Sequence, residues 1–153
     1  MAEWADKPQR GFLTRDLIDS RPIEKLTPYV DHEFTDRLPI DIGMNVLDVG
    51  FLKGRDLRRL WARHPSCRLV GVDIEPRLVE WCRKTHADTH IEFFHADVMS
   101  LPFKDGEFDV VYANGLLKEV SDKSMAIAEM MRVGKQVYLC DTDDQFNFTY
   151  ETY

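Results

Sequence analysis

VLDVGFLKG, Val46 to Gly54, reads as a buried strand running into a loop with glycine at each end. Val46, Leu47 and Val49 are strand-type residues, and Asp48 sets one acid inside the apolar run. Glycine at 50 and 54 lets backbone approach whatever lies over the loop, because a residue without Cβ reaches φ > 0 at no steric cost. Phe51, Leu52 and Lys53 fill the gap between them, where a ligand loop calls for small residues. The stretch therefore raises two questions: which fold places a strand ahead of such a loop, and whether the loop still admits a ligand.

The rest of the chain answers the first. RLVGVDI, IEFF, FDVVYA and QVYLC follow as further apolar runs of strand length. Near-continuous apolarity implies burial on both faces, the mark of a parallel sheet covered by helices. Between the runs lie helix candidates over Arg55–Arg63, ended by Pro65, over 77–85, opened by Pro76, and over 122–133, with Ser121 as the expected cap. In the last of these Met125, Ile127, Ala128 and Met131 form the expected apolar stripe. SLPFKDGEF, with Pro102 and the Asp105-Gly106 turn, leaves space for only a short helical turn. The alternation predicts a doubly wound α/β domain of about five mainly parallel strands with helices on both faces, Rossmann-like, with its C-terminal strands cut short.

Residues 1–43 differ in character, and the expected organisation is an N-terminal helical flank over 1–43 and a cofactor-binding core over 44–153. TRDLIDS and PIEKLTPYVDHEFTDRL read as two helices, the second opened by Pro22 or starting at Pro28. After the fifth run only DTDDQFNFTYETY follows. Either that aromatic tail adds one edge strand, or a second copy of the chain covers the bare edge, giving a homodimer.

A formal net charge of −7 sets the long-range field against phosphate backbones and anionic membranes. Arg55, Arg58, Arg59 and Arg63 recur near helical spacing, read here as a solvated helix face rather than a nucleic-acid patch. Cys67, Cys82 and Cys140 are far apart and odd in number, which suits reduced thiols in a cytoplasmic protein and neither a metal site nor a disulfide framework. No stretch approaches the ~20 apolar residues of a membrane-spanning helix.

Ligands of doubly wound sheets sit beyond the carboxyl ends of the strands. Asp73, at the end of the second run, is placed to accept hydrogen bonds from both ribose hydroxyls of a nucleoside lying over the glycine loop. Alone, it reads equally as a helix cap. Asp97 ends the third run, where its carboxylate meets an exocyclic amine while Ile74 and Val98 pack on the ring; alone, it reads as an Asx turn.

VLDVG...G, GVDIEP, ADVMSLPFKDGEFDVVYANG and AEMMRVGKQVYL together resemble the class I S-adenosylmethionine-dependent methyltransferases, in the subgroup of ubiquinone-biosynthesis-type enzymes. The resemblance covers about Asn45 to Cys140. It implies S-adenosylmethionine as cofactor, with Asp48, Gly50 and Gly54 beside its methionine part, Asp73 on the ribose, Asp97 and Val98 on the adenine, and Asn114 near the sulfonium. It also implies a small-molecule or protein methyl acceptor. Leu52 stands where the family carries its middle glycine; if the position needs φ > 0, the side chain costs on the order of 1 kcal/mol. Lys53 is read as meeting the cofactor carboxylate or as solvated. No general base stands out among His95, Lys118, Asp141 and Asp143, and His95 is expected to be a hydrogen-bonded core imidazole. Two other readings are a degenerate methyltransferase-like scaffold, which the filled loop suits, and a nicotinamide-dependent oxidoreductase, which lacks its G-x-G-x-x-G.

Overall fold

The structure, a computed structural model, describes residues 22–25, 31, 33–142 and 148–153. Each expected apolar run is a strand: β1 (Asn45–Val49), β2 (Arg68–Asp73), β3 (Glu92–His95), β4 (Phe108–Asn114) and β5 (Gly134–Thr142). These five are parallel, and a sixth, β6 (Phe148–Thr152), runs antiparallel along β5. The sheet order is β3-β2-β1-β4-β5-β6. Strand order thus reverses between β1 and β4, so their carboxyl ends open a crevice there.

The six strands amend the expectation of about five. The tail forms the edge strand, with Tyr150 opposite Cys140 and Thr152 opposite Tyr138. It covers the β5 edge on which the homodimer expectation rested.

Two apolar layers hold the sheet. On one face α1 (Arg55–Arg63) and α2 (Pro76–Thr85) bring Leu57, Leu60, Leu78 and Cys82 onto Val46, Leu69 and Val110. On the other, α3 (Lys123–Val133) brings Ala126, Met130 and Val133 onto Leu47, Val70, Val111 and Leu139. The buried stripe of α3 is therefore not the expected one: Met125 and Met131 are half exposed and Ala128 is exposed. The i, i+4, i+7 set that faces the sheet is Ala126, Met130 and Val133, with Ile127 of the expected stripe partly buried beside it, and the cap is Asp122 and not Ser121. The Asp122 carboxylate accepts the Met125 N–H at 3.0 Å, whereas the Ser121 hydroxyl turns to the Met99 sulfur. Helix α2 starts as its Pro76 predicts, with the Glu75 carboxylate accepting the Arg77 N–H at 3.1 Å. Glu75, not Asp73, is thus the cap.

The connection from β3 to β4 contains no helix, as its proline and glycine imply. Arg132 of α3 pins it by donating to the carbonyls of Leu101 and Phe103. The α1 arginines behave as a surface face. Arg58 pairs with Asp88, and Arg59 and Arg63 both pair with Asp36.

Only part of the flank is described. TRDLIDS lies outside the described residues, as do 26–30, which include Pro28. What is described of the second segment is two short 3-10 turns, Ile23–Lys25 and Phe34–Arg37. Phe34 is buried edge-on to Tyr112, with ring centroids 6.2 Å apart, and stacks on Tyr150 of β6 at 6.1 Å. Asp31 accepts hydrogen bonds from Arg37 and, at 2.7 Å, from the Tyr150 hydroxyl. The flank is therefore fastened across β4 and the edge strand.

Candidate cofactor cleft

The loop after β1 is held from every side. Phe51 does not point into the crevice. It turns under the loop, packs edge-on against Phe93 with centroids 4.9 Å apart, and is 4% exposed. Space for it comes from Gly71 of β2, where a Cβ would lie 2.7 Å from the Phe51 ring. Leu52 has φ +53°, so the position does need the left-handed region that glycine favours. Its conformation persists because its neighbours over-determine it. The Leu52 N–H donates to the Asp73 carboxylate at 3.2 Å, the Cys82 thiol donates to its carbonyl at 3.4 Å, and the Gly54 N–H donates to the Phe51 carbonyl at 2.8 Å. The His86 ring hydrogen-bonds the Lys53 carbonyl at 2.8 Å. Lys53 lies over the Trp81 ring and donates to the Glu24 carbonyl at 3.1 Å.

Two cavities flank this loop, and Gly50 lines both. The larger, about 220 Å³, lies between the carboxyl ends of β1, β2 and β3 and the segment after β4. Its walls include Asp73, Ile74, Asp97 and Val98, together with Met99, Leu116 and residues 119–121, which the sequence reading did not single out. The smaller, about 20 Å³, is lined by Asp48, Asn114 and the loop residues 50–53, and also by Arg55 and Asp56. Seven of the eight expected site residues thus line one cavity or the other. Gly54 lines neither; with φ +70°, it lets the loop descend past His86, whose Nε2 would lie 2.9 Å from a Cβ there.

Asp73 is oriented by backbone. One carboxylate oxygen accepts Leu52 N–H and the other accepts Glu75 N–H at 3.0 Å. An ionised carboxylate has about four lone-pair sites, so acceptor capacity remains. Burial pushes its pKa up to about 6, opposed by those two N–H groups. Ile74, at 56% exposure, presents an apolar surface to the cleft. Asp97 makes the Asx turn, accepting Met99 N–H at 2.9 Å, while also lining the cleft. His95 is not a core imidazole: it is exposed, and its Nε2 hydrogen-bonds the Ile74 carbonyl at 2.9 Å.

The small cavity holds two buried carboxyl groups, with Lys53 and Arg55 also in its lining. Asp48 sits in register with Tyr112, whose buried hydroxyl donates to it at 2.9 Å, and burial raises its pKa well above the carboxylate range. Asp56, on the first turn of α1, is also pushed up by burial, to about 6, against the lowering effect of its Asn114 hydrogen bond. Asn114 donates both to Asp56 Oδ2 at 2.8 Å and to the Asp31 carbonyl of the flank at 2.9 Å. Asp56 Oδ1 and Asn114 Oδ1 accept no hydrogen bond from any described residue, although both are buried. A buried acceptor without a donor is costly, so this end of the crevice suits a ligand that brings N–H groups. A nucleoside-sized cleft with a fixed carboxylate, next to a small cavity across Gly50, suits adenosine joined to an amino-acid arm.

The geometry agrees with what the chain is similar to. Residues 47–137 match the family model described as a methyltransferase domain. The chain is 28% identical over 134 residues to the 27-O-demethylrifamycin SV methyltransferase of Amycolatopsis mediterranei, covering 85% of this chain and 48% of that protein. It is 35% identical over 104 residues to the ubiquinone/menaquinone biosynthesis C-methyltransferase UbiE of Hahella chejuensis, covering 64% and 41%. Among solved structures, a SAM-dependent methyltransferase from Aquifex aeolicus shares the fold with a TM-score of 0.66 at 20% identity, over 74% of this chain and 65% of that one. The chain spans about half the length of these curated relatives. With the family model matched across more than half of its residues, the chain belongs to the methyltransferase domain family, of the class I type whose cofactor is S-adenosylmethionine.

Proposed function

We propose that this chain binds S-adenosylmethionine across the two cavities and directs transfer of its methyl group to a small-molecule acceptor. The observation that carries this reading is the pair of spaces on either side of Gly50, with a backbone-oriented carboxylate, Asp73, in the larger and unpartnered buried acceptors in the smaller. Asp73 takes the ribose hydroxyls, Ile74 and Val98 enclose the adenine, and Asp97 accepts from its exocyclic amine. Asp48 and Gly50 shape the methionine end, Gly54 sets the loop's path, and Asn114 stands beside the sulfonium.

The cofactor, when bound, supplies a methyl group already activated on sulfur. The chain's part is therefore alignment and exclusion of water, and no catalytic triad is needed. The flank contributes to exclusion, since Asp31 and Glu24 fasten it to Asn114 and Lys53 at the methionine end. In this reading residues 1–43 serve as a covering flank and 44–153 as the cofactor-binding core. A small-molecule acceptor is supported by the relatives named for a rifamycin and for quinones. Three buried free thiols suit a reducing, cytoplasmic setting.

A thermal-shift series tests the reading, because a ligand of the native state raises the unfolding midpoint by mass action. S-adenosylmethionine and S-adenosylhomocysteine should both raise it, and NAD should not. A shift with NAD alone would transfer the cleft to nicotinamide chemistry, and no shift with any of the three would leave a scaffold.

A further inference from the structure

Tyr150 of β6 enters none of the roles above, yet two chains of contact lead from it to polar residues of the small cavity. In the first, its hydroxyl donates to the Asp31 carboxylate at 2.7 Å, and the Asp31 carbonyl accepts the Asn114 amide at 2.9 Å. In the second, its ring stacks on Phe34, Phe34 lies edge-on to Tyr112, and the Tyr112 hydroxyl donates to Asp48. The first chain decides an orientation. Asn114 Nδ2 has two hydrogens, one given to Asp31 and the other to Asp56 at 2.8 Å, so both are used. A flipped amide would set its oxygen against two acceptors, and without the Asp31 bond only Asp56 holds the group. Asp31 is itself placed through its side chain: one carboxylate oxygen accepts the Glu33 N–H at 2.9 Å, and the other accepts Tyr150 and Arg37. The Arg37 side chain is more than half exposed, whereas Tyr150, though half exposed, is carried by a strand paired along β5. A strand is the more rigid base for a hydrogen bond that must hold a fixed geometry.

Resting on the cofactor reading above, we infer that Tyr150 is a positioning residue for the cofactor site: through Asp31 it fixes the Asn114 amide, so the last strand of the sheet sets how tightly the cofactor is held. The edge strand then has a role beyond covering β5.

Calorimetric titration with S-adenosylhomocysteine tests this in a cycle of the wild type, Tyr150→Phe, Asn114→Ala and the double variant. Phe keeps the ring on Phe34 and removes only the hydroxyl. Tyr150→Phe should weaken binding about fivefold, whereas in the Asn114→Ala background the same substitution should change it less than about twofold. Equal losses in both backgrounds would overturn the proposal, because Tyr150 would then be a strut for the fold at large; no loss in the first would overturn it too. A second readout needs no ligand. The Asn114 side-chain amide resonances of the free chain should move in Tyr150→Phe, and likewise in Asp31→Ala, which removes the acceptor and leaves Tyr150 in place. Unmoved signals would overturn the proposal. If the wild type does not bind S-adenosylhomocysteine, the cofactor reading falls and the cofactor role of Tyr150 with it, while the amide signals still decide whether Tyr150 sets Asn114. They decide it also where Asn114→Ala binds too weakly to titrate. If Tyr150→Phe does not fold, Asp31→Ala takes its place in both measurements.

Discussion

The two ends of the cleft were built by different means. At the adenosine end, apolar walls and two acids lie at the carboxyl ends of strands, where the sheet topology alone fixes their position. At the amino-acid end, the wall is a loop whose Leu52 adopts a glycine conformation and whose shape depends on Asp73, Cys82, Gly71 and His86, all distant in sequence. Shape is thus set by topology at one end, while at the other it is held by tertiary contacts that keep Leu52 in a left-handed conformation.

The largest break in this comparison is Asp73→Ala. On the proposed ribose contact, removing the carboxylate loses two hydrogen bonds to a charged group, each worth about 1.5–3 kcal/mol. S-adenosylhomocysteine affinity should fall about a hundredfold or more, with the circular dichroism spectrum preserved. A change under threefold would show the ribose contact to be misplaced.

Next in size is the acid cluster itself. Asp56 and Asp73 are raised by burial from 3.8 to about 6, so between those values the folded chain holds protons that the unfolded chain has released. The ligand-free protein should therefore lose stability as pH rises through that window and regain it as pH falls from 7 towards 5. Asp56→Asn should stabilise the free chain at pH 7.5 by on the order of 2 kcal/mol and flatten the dependence between pH 5 and 7. Urea unfolding at the two pH values measures it, and an unchanged slope in the variant would contradict the assignment.

Smaller still is the loop strain. At Leu52, Gly should be more stable than Ala by about 1 kcal/mol, because only Gly is free of the left-handed penalty. At Leu60, inside α1, the order should reverse by a similar ~1 kcal/mol. Denaturant midpoints of the four variants decide it, and Ala above Gly at both sites would mean that Leu52 is unstrained. The smallest effect is expected for Asp97→Asn. An Asn oxygen can keep both the Met99 turn and the adenine contact, so affinity should change less than threefold.

These contrasts explain what could be read from the chain. Five strands and three helices were legible because buried parallel strands are continuous apolar runs and Pro76 and Pro65 punctuate their flanks. The tail strand was left open because Phe148–Thr152 becomes a strand only through the β5 edge it pairs with. Around Phe34 the helical reading gives way to a short 3-10 turn, because the apolar spacing of Tyr29 and Phe34 is helix-like whereas Phe34 is locked onto Tyr112 and Tyr150. The stripe of α3 was misread because Met125 and Met131 are as apolar as the Ala126, Met130 and Val133 that face the sheet. In the site, Asp48, Asp73 and Asp97 stood out as acids at or near strand ends. Asp56 did not, since an acid in the first turn of a helix is ordinary, and only burial beside Asn114 sets it apart. Phe51 looked like an obstruction because its partner, Gly71, lies on the next strand.

The central claim is that a loop lacking its middle glycine still bounds a usable cleft. A crystal structure with S-adenosylhomocysteine tests it most directly. It should show the adenine between Ile74 and Val98, the ribose on Asp73, and Phe51 still against Phe93 beneath the loop. A cleft left empty at saturating ligand, or a Phe51 ring displaced from its bed to make space, would contradict it.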